Sequence, residues 1–325
     1  AAIAGEYVRA QIPSIPAFLG FFAIRQYLQG RGVVAPAMWV ILAANLVNVA
    51  ANELLIFGAL GLPGFGVRGA GLATALTRIA LLVSLVVVVR SLRLHVGAWP
   101  RWSRASIELA GLGEILKYGA PVGVQLGLEM WSFQLMTLLA GRVGEAALAA
   151  HTVVINMASL SFMVPLGVSM AAVTRTGNLI GAKQFDAAQR AAWVALAMGG
   201  GVMLVAATLF IALRGQLAGL YTDDLEVIAV ASALLPIAAC FQLFDGIQVV
   251  GGGVLRGMGR TRPAAIFNLV GYYVLGLPLG IWMAFELGLG VVGLWWGLTL
   301  ALGVIALLLL LWIWRRGPAS LAESE

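Results

Sequence analysis

The stretches LQGRGVVAP at residues 28–36 and LRGMGRTRP at residues 255–263 share one pattern, Leu-x-Gly-x-Gly-x-x-x-Pro. Each copy is followed by an apolar span and then by two glycines three residues apart, namely Gly66 and Gly69 in the first copy and Gly290 and Gly293 in the second. The two copies begin 227 residues apart. A repeat of this kind in an apolar chain predicts a membrane transporter built from two related halves.

The two copies lie at different distances along the sequence from the start of their halves. If the second half begins near Gly111, 152 residues precede Pro263, whereas only 35 residues precede Pro36. A membrane-spanning helix needs about 20 residues. We therefore expect the chain to be N-terminally truncated, lacking about three helices at its front.

The composition is that of a protein whose solvent is lipid. Of the 325 residues, 61% are hydrophobic and only 10% are charged, and 41 are glycines. So few charges cannot cover a water-soluble protein of this length, and glycine is frequent where membrane helices pack closely. The apolar runs are continuous and about 20 residues long, which predicts an all-α polytopic membrane protein rather than a β-barrel.

Hydropathy predicts nine transmembrane helices, near residues 8–29, 36–60, 66–90, 117–140, 147–173, 190–213, 227–253, 263–285 and 290–314. We interpret the chain as the last three helices of a first lobe, an inter-lobe linker, a complete six-helix second lobe and a tail, at residues 1–90, 91–116, 117–314 and 315–325. Trp99 and Trp102 lie among arginines in the linker, which predicts a segment at the membrane interface.

The basic residues are distributed unevenly across the predicted spans. Fifteen Arg and Lys residues fall on one side and four on the other. The positive-inside rule makes the first side cytoplasmic, and this side includes the linker and the C-terminus. We therefore expect a multi-pass membrane protein with no nucleic-acid partner. Arg25, Arg175 and Arg256 lie at cytoplasmic helix ends, where we interpret them as reaching toward lipid phosphates.

Glu129 and Asp245 are acidic residues well inside predicted spans. A carboxylate at the centre of a bilayer costs about 3 kcal/mol, so it normally faces the interior of the helix bundle and marks an ion path. The pair could bind Na⁺ through oxygen ligands or carry a proton, and charge alone does not choose between them. We predict this coupling cation, Na⁺ or H⁺, and no other cofactor.

Further polar and aromatic residues are candidates for a substrate cavity. Asn48 and Asn52 share one face of their helix, Glu53 follows them, and Gln125 lies one turn before Glu129. The asparagines are equally typical of hydrogen bonds between membrane helices. The complete set of cavity candidates is Gln125, Asn48, Asn52, Glu53, Asn156 and Phe241.

Several motifs occur together in a characteristic order. They are the repeat at 28–36, Asn48-x-x-x-Asn52, GAGLAT at 69–74, Gly119-Ala-Pro121, Glu129, Phe244-Asp245, the repeat at 255–263 and Tyr273-x-x-Gly-Leu-Pro278. As a set, covering residues 6–314, they resemble the multidrug and toxic compound extrusion (MATE) family and its NorM-like bacterial branch.

The resemblance implies a two-lobe, twelve-helix exporter with a central cleft, of which this chain holds about nine helices. It also implies that Glu129 and Asp245 line the cation site of the second lobe. Two positions depart from the family pattern. Relatives carry a tyrosine one turn before the aspartate, and Phe241 lacks its hydroxyl; Glu53 stands where relatives place an aromatic or apolar residue.

The sequence therefore predicts a secondary active transporter and not an enzyme. We expect it to export amphipathic or cationic organic molecules by alternating access, in antiport with Na⁺ or H⁺, as a monomer in the lipid bilayer. A flippase for lipid-linked sugars is the alternative within transport, and it favours a cleft lined with arginines. A membrane-embedded enzyme using Glu129 and Asp245 as acid and base is the alternative from another class, and it would show turnover without a gradient.

Overall fold

The computed structural model describes residues 2–58, 63–99 and 109–324 of the chain. Throughout these residues the regular structure is helical, without strands. The chain divides into two compact units, Ala1–Ser106 and Ile107–Glu325. Each unit is described by itself below.

The α-helices of the first unit are α1 Ala2–Gln11, α2 Ile15–Gly30, α3 Ala35–Ile56 and α4 Gly66–Ser91. Those of the second unit are α5 Leu109–Val143, α6 Glu145–Gly181, α7 Phe185–Ala212, α8 Arg214–Gly219, α9 Leu225–Gly257, α10 Thr261–Asn268, α11 Leu277–Ile281 and α12 Gly290–Arg316. A 3₁₀ turn, Ile12–Ser14, joins α1 to α2. Two π-helical segments, Leu269–Gly276 and Trp282–Glu286, make α10 and α11 parts of one continuous helix.

Eight helical stretches in the described part of the chain are long and apolar enough to cross a membrane. Helix α5 is a further long helix of 35 residues. Its hydropathy is lowered by three polar residues in the middle, Gln125, Glu129 and Gln134. Together these helices follow the order of the predicted spans, and the all-α polytopic fold class is confirmed.

The region interpreted as a linker, residues 91–116, differs in part from that interpretation. Helix α5 already begins at Leu109, so the last residues of this stretch are helical. Trp99 lies in a turn after α4 and contacts Tyr27, with ring centroids 5.8 Å apart. Trp102 lies outside the described residues. The four domain boundaries stay a prediction.

The two copies of the repeat form the same helix C-terminus. The second glycine of the motif adopts a left-handed conformation in both copies, with φ of 72° at Gly32 and 70° at Gly259. The next amide donates to the carbonyl of the motif leucine over 2.9 Å in each copy, from Val33 to Leu28 and from Arg260 to Leu255. This is the Schellman arrangement, in which a residue without a Cβ is favoured at the left-handed position.

The two glycines of the first motif copy, Gly30 and Gly32, should respond differently to substitution by alanine, because only Gly32 has a left-handed φ. We expect Gly32→Ala to lower the free energy of unfolding by about 1 kcal/mol, because an L-residue is strained at this φ. The matched control is Gly30→Ala, since Gly30 is helical and a Cβ there meets no atom within 4 Å. Thermal unfolding of the purified full-length protein in detergent measures both. Equal midpoints for the two variants contradict the assignment.

The second glycine of each following pair has a packing role. A Cβ at Gly69 of α4 would lie 2.0 Å from the carbonyl oxygen of Leu55 on α3. A Cβ at Gly293 of α12 would lie 2.6 Å from the backbone nitrogen of Ala284 on the preceding helix. Both copies of the repeat therefore use this glycine to bring two helix backbones into contact.

Helix α9 is the centre of the second unit. It packs against α6, α7 and α12, and most of its residues from Val227 to Leu255 are buried. Its N-terminus is capped by Asp224, whose side chain accepts hydrogen bonds from the amides of Glu226 and Val227 at 2.9 and 3.3 Å. Polar residues on so enclosed a helix must face a neighbouring helix or a cavity.

Candidate functional site

A cavity of ≈ 510 Å³ lies among α5, α6 and α9 of the second unit. Most of its wall is apolar and includes methionine, leucine and phenylalanine side chains. The predicted residues Gln125, Glu129, Phe241 and Asp245 all line it. Its other polar residues are Gln134, Ser159, Gln248 and Arg256. The structure thus brings both predicted acids into one apolar cavity.

The two acids differ in exposure but share one electrostatic environment. Asp245 is buried, with 5% of its surface exposed, and Glu129 is half-buried. The two carboxyl groups interact electrostatically. Glu129 Oε2 accepts a hydrogen bond from Gln248 Nε2 at 3.2 Å. Two like charges in low-dielectric surroundings are stabilised by a cation placed near them.

Amide oxygens of two buried glutamines lie in the same wall. Gln125 and Gln248 are only 2% and 1% exposed. The Oε1 atom of each has no hydrogen-bond partner within the described part of the chain. Carboxylate and amide oxygens are the ligands that hard cations prefer. The donor set therefore fits a small cation such as Na⁺ as well as a proton.

Tyr272 is a further polar group at this site that the sequence did not single out. It is fully buried, and its hydroxyl has no hydrogen-bond partner among the described residues. It lies within electrostatic reach of both Glu129 and Asp245, and its ring packs edge-on against Phe133 with centroids 6.2 Å apart. The neighbouring Tyr273 hydroxyl donates to the Leu128 carbonyl at 3.1 Å, which fixes this segment beside α5.

Phe241 forms an apolar side of the cavity. It is 1% exposed and contacts two aromatic rings edge-on, Phe133 at 6.0 Å and Trp295 at 5.5 Å between centroids. Although Phe241 lacks the tyrosine hydroxyl, its ring therefore still packs against other aromatic rings at this position. The buried hydroxyl of Tyr272, on another helix, lies within electrostatic reach of Glu129 and Asp245.

The interpretation of Arg256 as a residue reaching toward lipid phosphate is wrong. Its side chain lines the cavity and donates a hydrogen bond to Ser169 Oγ at 3.1 Å. It also interacts electrostatically with Glu129. The reason is local, because Gly252, one turn earlier on α9, presents no side chain. Arg256 Nη1 lies 3.8 Å from where a Cβ at Gly252 would be, so the arginine folds back along its own helix.

The asparagine candidates lie in the first unit and bond to each other and to α4. Asn52 Nδ2 donates to Asn48 Oδ1 at 3.0 Å, and Asn48 Nδ2 donates to Thr77 Oγ1 at 3.0 Å. These contacts tie α3 to α4, as the interpretation as interhelical hydrogen bonds predicts. Glu53 is exposed on the surface of this unit. A cavity role for these three residues stays a prediction.

Asn156 does not belong to the cavity of the second unit. It is exposed on α6, and its Nδ2 donates to the backbone carbonyl of Thr152 at 2.8 Å. Its neighbours Ile155, Ala158 and Ser159 line the cavity instead. Its substrate role stays a prediction without support from this geometry.

The sequence contained a signal for the residues missed on α9. Phe241, Asp245, Gln248, Gly252 and Arg256 follow one another at intervals of four, three, four and four residues. This spacing places them on one face of an α-helix. A polar stripe on an otherwise apolar span is a signal that Gln248 and Arg256 share the helix face of Asp245, although it does not give the direction in which the long arginine side chain extends.

Comparisons with known proteins show which family the chain resembles. A family model described as MatE matches residues 121–282. The chain is 35% identical over 323 residues to multidrug and toxin extrusion protein 2 of Mus musculus, covering 99% of this chain and 55% of that protein. It is 38% identical over 325 residues to the probable multidrug resistance protein NorM of Burkholderia pseudomallei (strain K96243), covering 98% of this chain and 68% of that protein.

Solved structures share the fold. The crystal structure of the eukaryotic MATE transporter AtDTX14 superposes with a TM-score of 0.86 at 25% identity, over 99% of this chain and 71% of that one. The MATE-type helical fold expected from the motifs is therefore confirmed. The chain spans about half the length of the vertebrate relatives that it matches, for example 55% of the mouse protein.

Proposed function

Because this chain belongs to the multidrug and toxic compound extrusion family, we propose that it acts as a secondary active exporter of amphipathic, cationic organic molecules. In this proposal a coupling cation, Na⁺ or H⁺, binds at Glu129 and Asp245 and is exchanged for substrate by alternating access. The observation that carries it is the pair of acids in one apolar cavity, Asp245 buried and Glu129 half-buried. Carboxylates inside a membrane protein normally mark an ion path.

Competition for the same negative charge supports antiport. The coupling cation and a cationic substrate both lower the electrostatic energy of the two carboxylates, so that binding of one favours release of the other. The cavity volume of ≈ 510 Å³ falls within the range of sites for drug-sized molecules. Phe133, Phe162 and Phe241 offer aromatic surface to an amphipathic cation.

A flippase for lipid-linked sugars is the second candidate, since Arg256 lines the cavity. A pyrophosphate needs an excess of positive charge around it. Two carboxylates against one guanidinium leave the wall negative, which favours organic cations over pyrophosphate. The enzyme alternative has no support, because members of this family are transporters and need no bound cofactor.

The direct test is transport by the full-length protein in proteoliposomes. Ethidium export is followed with a sodium gradient and a proton gradient imposed separately. We expect export with at least one gradient and none without a gradient. Dependence on sodium alone, or on pH alone, identifies the coupling ion. Absence of export under both gradients, with correctly inserted protein, overturns the proposal.

The hydroxyl of Tyr272 provides a finer test of the cation site. We expect Tyr272→Phe to weaken the apparent affinity for the coupling cation by about tenfold, as for loss of a supporting group around a bound ion. The matched control is Tyr118→Phe, because Tyr118 is 47% exposed on α5. Export is measured against the concentration of the coupling cation. Equal concentration dependence in both variants removes Tyr272 from the site.

The remaining parts of the proposal concern topology. The distribution of basic residues supports a multi-pass protein of the bacterial inner membrane with a cytoplasmic C-terminus. We further propose a monomer and a boundary between lobes within residues 91–116. Reporter fusions at the C-terminus that are active only in the cytoplasm test the orientation, and light scattering of the detergent-solubilised protein tests the monomer.

A further inference from the structure

We propose that Arg256 is a built-in counter-cation that leaves the cavity with one net negative charge when both acids are ionised, and so makes it selective for one monovalent cation at a time. This inference rests on the proposed function, and it specifies the charge of the cations that the cavity binds. From the sequence, Arg256 is interpreted as reaching toward lipid phosphates, whereas the structure places it in the cavity wall.

The guanidinium is held in place by a buried serine. Ser169 on α6 is 0% exposed, and its Oγ donates to the carbonyl of Val249 on α9 at 2.7 Å. The same Oγ accepts from Arg256 Nη2 at 3.1 Å. A hydroxyl can donate once and accept twice, so both bonds form together. The arginine therefore has a fixed anchor on the neighbouring helix.

A run of glycines on α9 makes room for this anchor. A Cβ at Gly253 would lie 2.4 Å from Ser169 Oγ, so that only glycine allows the serine to approach. A Cβ at Gly252 would lie 3.1 Å from Gln125 Nε2 and 3.8 Å from Arg256 Nη1. Both glycines are buried. The backbone is thus shaped to admit the arginine and the glutamine, beside the acids.

The charges that line the cavity then sum to a single negative charge. Its charged lining residues within the described part of the chain are Glu129, Asp245 and Arg256. Arginine keeps its proton in proteins. When both carboxylates are ionised, one monovalent cation neutralises the wall. A second positive charge has no partner there, and an unpaired charge in a low-dielectric site is costly. The same accounting predicts exchange of one coupling cation for one monovalent substrate.

The test compares binding of a monovalent and a divalent organic cation to the purified full-length protein in nanodiscs. Tetraphenylphosphonium is the monovalent probe and methyl viologen is the divalent probe. We expect Arg256→Gln to shift the ratio of the two dissociation constants by about tenfold or more toward the divalent probe, as for other close charge pairs. Arg256→Lys keeps the charge and should keep the wild-type ratio.

Two further variants keep the test decisive. Arg260→Gln removes the same charge from an exposed position in the loop between α9 and α10 and should leave the ratio unchanged. Ser169→Ala frees the guanidinium from its anchor while keeping all charges, and we expect a smaller shift in the same direction. The inference is overturned if Arg256→Gln changes both affinities by the same factor, or if Arg260→Gln gives an equal shift. Failure of the proposed function looks different, because wild-type protein then binds neither probe.

Discussion

We expect export by the full-length protein to fall about 100-fold or more when Asp245 is replaced by asparagine, and we expect Glu129→Gln to have the same effect. Each change removes one of the two negative charges that face the cavity and keeps the size of the side chain. In Glu129→Gln the hydrogen bond from Gln248, now 3.2 Å long, can persist because the new amide still offers an oxygen. The loss is therefore one of charge and not of shape.

Initial rates of ethidium export in proteoliposomes measure this effect under whichever gradient drives the wild-type protein. The matched control is Glu114→Gln, which removes a carboxylate from an exposed position on the same helix α5. We expect this variant to export at the wild-type rate. Wild-type export by both Asp245→Asn and Glu129→Gln would falsify the assignment of the cation site.

Asp245→Asn is expected to fold at least as well as the wild-type protein. Removing a charge that is buried next to a like charge relieves repulsion and desolvation. Asp245 is 5% exposed and interacts unfavourably with Glu129, so Asp245→Asn should keep or raise the thermal unfolding midpoint. A loss of export with an unchanged or higher midpoint separates function from folding.

Features with a strong local cause could be predicted from the sequence. The apolar runs require membrane helices, and the cost of a carboxylate in lipid predicts that Glu129 and Asp245 face inward. Their common cavity agrees with that argument. The repeat likewise has a local cause, since Gly32 and Gly259 adopt the same left-handed conformation at a helix end.

Residues whose direction depends on a neighbouring helix could not be predicted in the same way. Tyr272 lies in a π-helical segment, Leu269–Gly276, where the 3.6-residue period no longer gives the direction of a side chain. Pro278 follows and cannot donate a backbone hydrogen bond, a condition under which membrane helices adjust by π turns. Arg256 was misplaced because an arginine at a cytoplasmic helix end usually extends toward lipid, whereas Gly252 gives it space to fold back.

Gly69→Ala and Gly293→Ala are expected to be the most destabilising of the alanine substitutions in the repeat. The added methyl group at Gly69 meets the backbone oxygen of Leu55 at 2.0 Å, and at Gly293 it meets the backbone nitrogen of Ala284 at 2.6 Å. A side chain could rotate away from such a contact, but a helix backbone must move as a whole. We expect each variant to lose about 3 kcal/mol, the upper end of the usual cost of overpacking.

Thermal unfolding of the purified full-length protein, together with the yield of monodisperse protein, measures this loss. Gly201→Ala is the matched control, because Gly201 is helical in α7 and a Cβ there meets no atom within 4 Å. In an open helical position alanine is favoured over glycine by about 1 kcal/mol, so this variant should be neutral or stabilised. If Gly69→Ala and Gly293→Ala have the same unfolding midpoint as Gly201→Ala, the two glycines do not determine how closely the helices approach each other. A loss of stability in only one of the two variants would mean that this glycine is needed for helix packing in one unit and not in the other, although the two copies are alike in sequence.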